Sequence, residues 1–274
     1  MIPVSLYGLL IAIGFLAAYG VTIFLATKIG RVSSEHIDRV LLWALIPAVA
    51  GARVLFVLYH LDYFPAHPDE IIAVWNGGWV WHGALVGGIL GLWAYCKRSG
   101  LSLLAFLDLL APGVALGQAI GRWGNYFNQE AYGFPTDLPI GQYVDLSHRI
   151  PGYEAFTHFH PTFLYESIFD AALFILLMTI YLKRWDPRLR GDDKREGGDD
   201  PPARKASARH AGGGSIFFLY LILYSLARFG IEFLRIDLVP IAVGLRAPQL
   251  VSLGLLTVGI GGLAWVLRKR KNVI

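Results

Sequence analysis

Cysteine is nearly absent: Cys96 is the one thiol among 274 residues. That excludes an intramolecular disulfide, a CxxC redox pair and a thiolate metal site. Charge is scarce as well, at 16% of residues against about 25% in an ordinary soluble domain. Thirteen of the charged side chains crowd into residues 185–212, so the remainder is close to lipid-like. The 31 glycines and 14 prolines follow no G-X-Y period, which removes the collagen class. The formal charge of +4 comes without a basic face, because aromatic-rich apolar runs surround the basic residues, and nucleic acid is excluded as a partner. What is present is apolar, 55% of the chain. An all-α, polytopic membrane protein in contact with the lipid bilayer is the class that remains.

A hydrocarbon core about 30 Å thick needs roughly 20 apolar residues as helix. Runs of that kind lie near 3–27, 40–59, 79–96, 104–122, 161–183, 215–235 and 247–267, giving seven expected transmembrane helices. The first has no basic n-region and exceeds a signal peptide's apolar stretch, so it reads as an uncleaved span. Lysine and arginine accumulate after spans one, three, five and seven, which together hold eighteen of the twenty-four. By the retention of positive charge in cytoplasmic loops, the N-terminus is outside and the C-terminus cytoplasmic. The organisation expected is residues 1–184 as helices one to five with a small extracytoplasmic head at about 126–160, then 185–212 as a disordered cytoplasmic linker. Residues 213–274 supply helices six and seven and a basic tail.

Ionisable groups inside spans are costly and mark candidate function. Arg53 lies about 13 residues, or about 20 Å, from the inner end of span two, in its outer half. Arg228 falls in the outer half of span six, His82 opens span three, Arg122 closes span four and Tyr7 is near the outer start of span one. Tyr220, Tyr224, Arg228 and Glu232 recur every fourth residue, a polar stripe on an apolar helix. Two readings fit that stripe. One is an internal Arg228 to Glu232 pair; the other is an anion site, for which the arginine fork matches two phosphate oxygens. An outer-leaflet phospholipid headgroup is the natural anion. Rows of glycine (83, 87 and 91; 113, 117 and 121) let helices pack closely. Glu166 and Asp170 read as acids favoured by the dipole at a helix start. His158 and His160 have no third ligand at a recognisable spacing, so no metal is expected.

The segment Gly121-Arg122-Trp123-Gly124-Asn125-Tyr126-Phe127-Asn128-Gln129-Glu130-Ala131-Tyr132-Gly133 closely resembles the signature of prolipoprotein diacylglyceryl transferases, bacterial inner-membrane enzymes of seven spans. Tyr7-Gly8, Gly51-Ala52-Arg53, His82-Gly83, the stretch from His160 to Glu166 and that from Arg228 to Arg235 also look like the family. The likeness covers nearly the whole chain except the 185–212 linker. It departs from the family pattern at Asn76, where aspartate is common, at Phe163, where glutamine is common, and in a short head.

The resemblance implies transfer of the diacylglyceryl group of phosphatidylglycerol to the lipobox cysteine of a prolipoprotein, with a thioether formed and glycerol phosphate released, and no cofactor. The active site would face the outer leaflet. The thiol must lose its proton to attack carbon, and His82 is assigned as general base. Arg122 and Arg228 would stabilise the departing phosphate. By family analogy Asn125, Asn128 and Glu130 shape the headgroup site, supported by Tyr7, Tyr224 and Glu232, with Arg53 on the substrate side. Cys96, at the cytoplasmic end of span three, takes no part. Rival readings are a catalytically altered paralogue, a lipid or anion transporter and a membrane scaffold. A transporter places its charges near the midplane between repeated halves, whereas these cluster in one leaflet; a scaffold leaves the span-six stripe unexplained.

Overall fold

The structure, a computed structural model, describes residues 6–29, 34–73, 75, 77–185, 213–237 and 244–271. Long apolar helices dominate. They are α1 (Leu6–Ile29), α2 (Ser34–Tyr59), α3 (Trp81–Arg98), α4 (Leu103–Gly121), the short α5 (Trp123–Phe127), α6 (Thr162–Trp185), α7 (Ser215–Glu232) and α8 (Ala247–Lys271). Among the described residues, six stretches are long and apolar enough to cross a membrane: Leu6–Lys28, Glu35–Tyr59, Leu103–Phe127, Thr162–Arg184, Ser215–Glu232 and Ala247–Lys271. The expected span at 79–96 is a helix too, but α3 has only 18 residues, opening with Trp81-His82 and closing with Lys97-Arg98, which dilutes its apolar length. Large side chains such as Leu16, Ile46 and Ile175 are exposed along these helices. In water such apolar belts would associate; against lipid they are the solvated face. The chain is a multi-pass membrane protein. Except for Trp185, the 185–212 linker lies outside the described residues, as does Asn76.

Two compact units make up the chain, one from Met1–Ile29 with Leu107–Ile274, the other Gly30–Phe106. In the smaller unit the glycine row of α3 faces α2. A Cβ added at Gly83, Gly87 or Gly91 would strike the carbonyl of Gly51, Pro47 or Trp43 respectively. The absence of side chains there lets the two backbones touch, as small residues do wherever helices meet in lipid. The larger unit repeats the device with other partners: Gly113 lies against Ala18 and Gly117 against Gly14, so α4 packs on α1.

The start of α7 has no side-chain cap of its own. Asp108, buried in α4, supplies one, accepting hydrogen bonds from the backbone N–H of Gly214 at 2.8 Å, Ile216 at 2.9 Å and Phe217 at 2.8 Å. Three donors left over by helix geometry are thus satisfied by a residue from another helix.

The segment expected to form a head folds between α5 and α6, and it adds a small β element to the all-α expectation. Strands β1 (Gln142–Tyr143) and β2 (His158–Phe159) pair antiparallel, with Gln142 opposite Phe159. Tyr132, Val144 and Phe159 form its core, against which Ile150, Tyr153 and Ile236 pack. The Tyr132 hydroxyl donates to the His148 carbonyl and accepts from the Ile150 N–H, both at 2.8 Å. Burial pushes this phenol above its ordinary value, which keeps the donor in place.

Two substitutions check these supports by thermal unfolding in detergent. Gly87→Val should lower stability by about 1–3 kcal/mol through overpacking at α2. Asp108→Ala should cost about 1–3 kcal/mol by stranding the first N–H groups of α7. An unchanged unfolding midpoint in either case would show that the contact carries no weight.

Candidate active site

The stripe on α7 is realised as a stacked and ion-paired column. The rings of Tyr220 and Tyr224 lie 5.7 Å apart and nearly parallel, and Arg228 Nη2 reaches Glu232 Oε2 at 2.7 Å. The internal pair considered from the sequence therefore exists, but it is part of something larger. Glu166, on α6 and only 5% exposed, places Oε1 at 2.6 Å from Arg228 Nη1 and Oε2 at 2.6 Å from Arg122 Nη2. One buried carboxylate thus ties α6 to α7 and to the junction of α4 and α5, where Arg122 stands. Arg122 Nη2 also donates to the Tyr224 hydroxyl at 3.4 Å. Glu232 is fully buried, and Arg246 donates to its main-chain carbonyl.

Neighbouring contacts hold the arginine's platform. Ser167 Oγ donates to the Ala119 carbonyl at 2.8 Å and receives Trp123 Nε1 at 3.1 Å, fastening the end of α4 to α6. Phe163 packs against the rings of Trp123 and Tyr126, so the side chain that departs from the family pattern is an apolar wall here. Tyr7 lies flat on Gly124, where a Cβ would meet its ring. Asn125, in α5, donates through Nδ2 to Glu130 Oε1 at 2.9 Å, and Asn128 Nδ2, just past that helix, does so at 3.4 Å. The turn that follows puts Gln129 and Ala131 at φ 51° and 60°, a conformation uncommon outside glycine. Gln129 is held there by a two-way exchange with Asp145, both bonds at 2.6 Å.

A cavity of about 350 Å³ opens between α1 and α4. Tyr7, Arg122 and Asn125 form its polar end, and Ile11, Phe15, Ala18 and Val114, with Gln118 among them, line the rest. The Arg122 side chain keeps 23% of its surface exposed against 12% for Arg228. Arg228 spends both terminal nitrogens on carboxylates, whereas Arg122 meets Glu166 and Tyr224 through one. The two arginines are therefore not equivalent: Arg122 faces the cavity with donors to spare. An anion with an apolar tail fits such a place.

Arg53 and His82 belong to the smaller unit. Arg53 is not an open anion receptor. Its Nε donates to the Ile71 carbonyl at 2.9 Å, Nη1 to Gly77 at 2.7 Å and Gly78 at 3.2 Å, and Nη2 to Glu70 at 2.5 Å. It also lies over the rings of Phe56 and Phe64. The guanidinium thereby ties Glu70, Ile71, Gly77 and Gly78, ahead of α3, to α2. His82 is the second residue of that helix and is exposed.

The sequence reading missed Glu166 as a site residue, taking it for a dipole-favoured acid. It also passed over Gln118 in α4, whose Oε1 accepts from the Tyr220 hydroxyl at 2.8 Å. The available signal for Glu166 was a carboxylate inside a span, which arginines on other spans must neutralise. Asp170, one turn further along α6, is likewise buried, and its Oδ2 has no hydrogen-bond partner. No group of three or more metal-ligating side chains occurs among the described residues.

Fold and site define a multi-pass helical membrane protein that buries an arginine and carboxylate network beside a cavity that is polar at one end and mostly apolar along the rest. A family model described as prolipoprotein diacylglyceryl transferase matches residues 1–265. Similar curated proteins are phosphatidylglycerol–prolipoprotein diacylglyceryl transferases of Trichormus variabilis, 39% identical over 98% of this chain and 88% of that one, and of Gloeobacter violaceus, 40% identical over 96% and 88%. That of Fervidobacterium nodosum is 38% identical over 96% and 81%. The chain belongs to the prolipoprotein diacylglyceryl transferase family.

The shared carboxylate is open to test. Glu166→Gln keeps the shape but leaves Arg122 without a carboxylate and Arg228 with Glu232 alone, and should cost about 3–5 kcal/mol, read as a lower unfolding midpoint in detergent. Adding Arg122→Gln, which leaves Arg228 and Glu232 as a matched pair, should recover part of that loss. An unaltered midpoint for the single variant would mean that the bridge holds nothing together.

Proposed function

We propose that the protein transfers the diacylglyceryl group of phosphatidylglycerol to the cysteine thiol of prolipoproteins, forming a thioether and releasing glycerol phosphate. The observation that carries this reading is Arg122, anchored from behind by Glu166, at the polar end of an apolar cavity. The lipid phosphate meets the guanidinium there while an acyl chain runs along α1 and α4. From Arg122 to Val114 the helix rises about 12 Å, enough for a good part of a chain.

The sulfur bonds to the glycerol carbon as that carbon's bond to the phosphate oxygen breaks, and the electron pair leaves on oxygen. Charge therefore grows on the phosphate in the transition state, where a pre-placed arginine stabilises it more than in the ground state. Arg122 does this directly. Arg228 supports it through the shared Glu166, with Glu232 and Tyr224 completing the cluster. Asn125, Asn128 and Glu130 shape the headgroup end together with Tyr7. His82 takes the thiol proton, and Arg53 stands on the substrate side.

In this reading α3 completes seven spans despite its short apolar stretch. The chain enters from the outside, its basic ends and the 185–212 linker are cytoplasmic, and the head lies outside the bacterial inner membrane with the reaction in the outer leaflet. The lipobox peptide supplies the cysteine.

The test is reconstitution with phosphatidylglycerol and a lipobox peptide, following thioether-linked product and released glycerol phosphate by mass spectrometry. Both products should form, and Arg122→Ala should abolish them. His82→Gln should slow transfer by about 100-fold or more; a loss of less than about tenfold would sink the assignment of His82 as base. If neither product forms from the unaltered protein, the transferase reading fails.

A further inference from the structure

Gln118 stands one helical turn before Arg122 on α4 and lines the same cavity. It therefore follows the arginine into the groove by about 6 Å. Beyond Arg122, the groove wall is otherwise apolar, made of Ile11, Gly14, Phe15, Ala18, Val114 and Gly117. A primary amide offers one acceptor oxygen and two N–H donors. The oxygen is already taken, because Tyr220 donates its hydroxyl to Gln118 Oε1 at 2.8 Å, and Tyr220 is itself braced by its stack on Tyr224. What the side chain has left for the cavity is a donor.

A glycerophospholipid presents its groups in a fixed order: phosphate, glycerol, ester carbonyls, hydrocarbon. If Arg122 receives the phosphate, as the transferase reading on which this inference rests requires, the ester carbonyls arrive about one helical turn deeper. We propose that Gln118 donates a hydrogen bond to an acyl ester carbonyl of the lipid, and so makes the site select diester over dialkyl ether lipid. The chemistry itself is blind to this difference. The bond that breaks joins the terminal glycerol carbon to the phosphate oxygen, the bond that forms joins that carbon to sulfur, and neither ester takes part. A diether lipid is therefore a competent donor that lacks only the carbonyl.

The experiment compares phosphatidylglycerol with its 1,2-di-O-alkyl analogue of equal chain length, each in mixed micelles with a lipobox peptide, and takes the ratio of kcat/KM within one preparation. Any misfolded fraction cancels in that ratio. The unaltered protein should favour the diester by about 3- to 10-fold, the worth of one neutral hydrogen bond. Gln118→Leu should bring the ratio close to one, and Gln118→Met replaces it if leucine prevents folding. Tyr220→Phe, which frees the amide to turn, should lower the ratio part of the way. A ratio near one in the unaltered protein, or one that survives loss of the amide, overturns the proposal. If the diester lipid yields no thioether at all, the transferase reading has failed, and that outcome is visible before any ratio is taken.

Discussion

A single carboxylate shared by two guanidinium groups, Glu166 between Arg122 and Arg228, is the interaction on which the larger unit's polar interior depends. Burying any of these charges alone would be prohibitive, and each becomes tolerable only because the others are there. Water and lipid offer no substitute at that depth, so the three helices that carry the charges must meet. Charge pairing here does the work that hydrophobic burial does in a soluble core. In lipid the apolar faces gain little by touching one another.

The same logic runs through the less polar contacts. Where no charge draws helices together, backbone closeness does, with Gly87 against Pro47 in one unit and Gly117 against Gly14 in the other. Where a helix begins without a cap, Asp108 reaches across from α4 to satisfy three N–H groups of α7. A bilayer gives the backbone no solvent to fall back on, and such groups have to be met from within the protein.

For the site, the network has a directional consequence. Arg228 is enclosed by Glu166 and Glu232, while Arg122 is held from one side and meets the cavity with the other. Two arginines that look alike along the chain thus divide into one that faces the cavity and one that steadies the counter-ion. A comparable division separates Arg53, whose donors are consumed by loop carbonyls, from an open receptor for phosphate.

Much of the architecture was legible from one dimension, because lipid imposes a length and a polarity on every spanning helix. The apolar runs, the glycine rows, the α7 stripe and the motif around Arg122 are local patterns, and each appears in the structure as a local feature. A folded segment between α5 and α6 could be anticipated from its aromatics, though its β1–β2 pairing could not. What the chain alone left open is which charge meets which. Glu166 is 44 residues from Arg122 and 62 from Arg228 along the chain, and nothing in the spacing announces that one carboxylate will serve both. Nor does the sequence mark Asp108 as the cap of α7 or Gln118 as the acceptor of the Tyr220 hydroxyl. Spans belong to the sequence because composition and period set them, and motif and family because they are carried by runs of particular residues. The pairing of charges, the shape of the cavity and the unequal standing of the two arginines belong to the tertiary structure, because they exist only once separate helices share a buried volume in which no charge can stand alone.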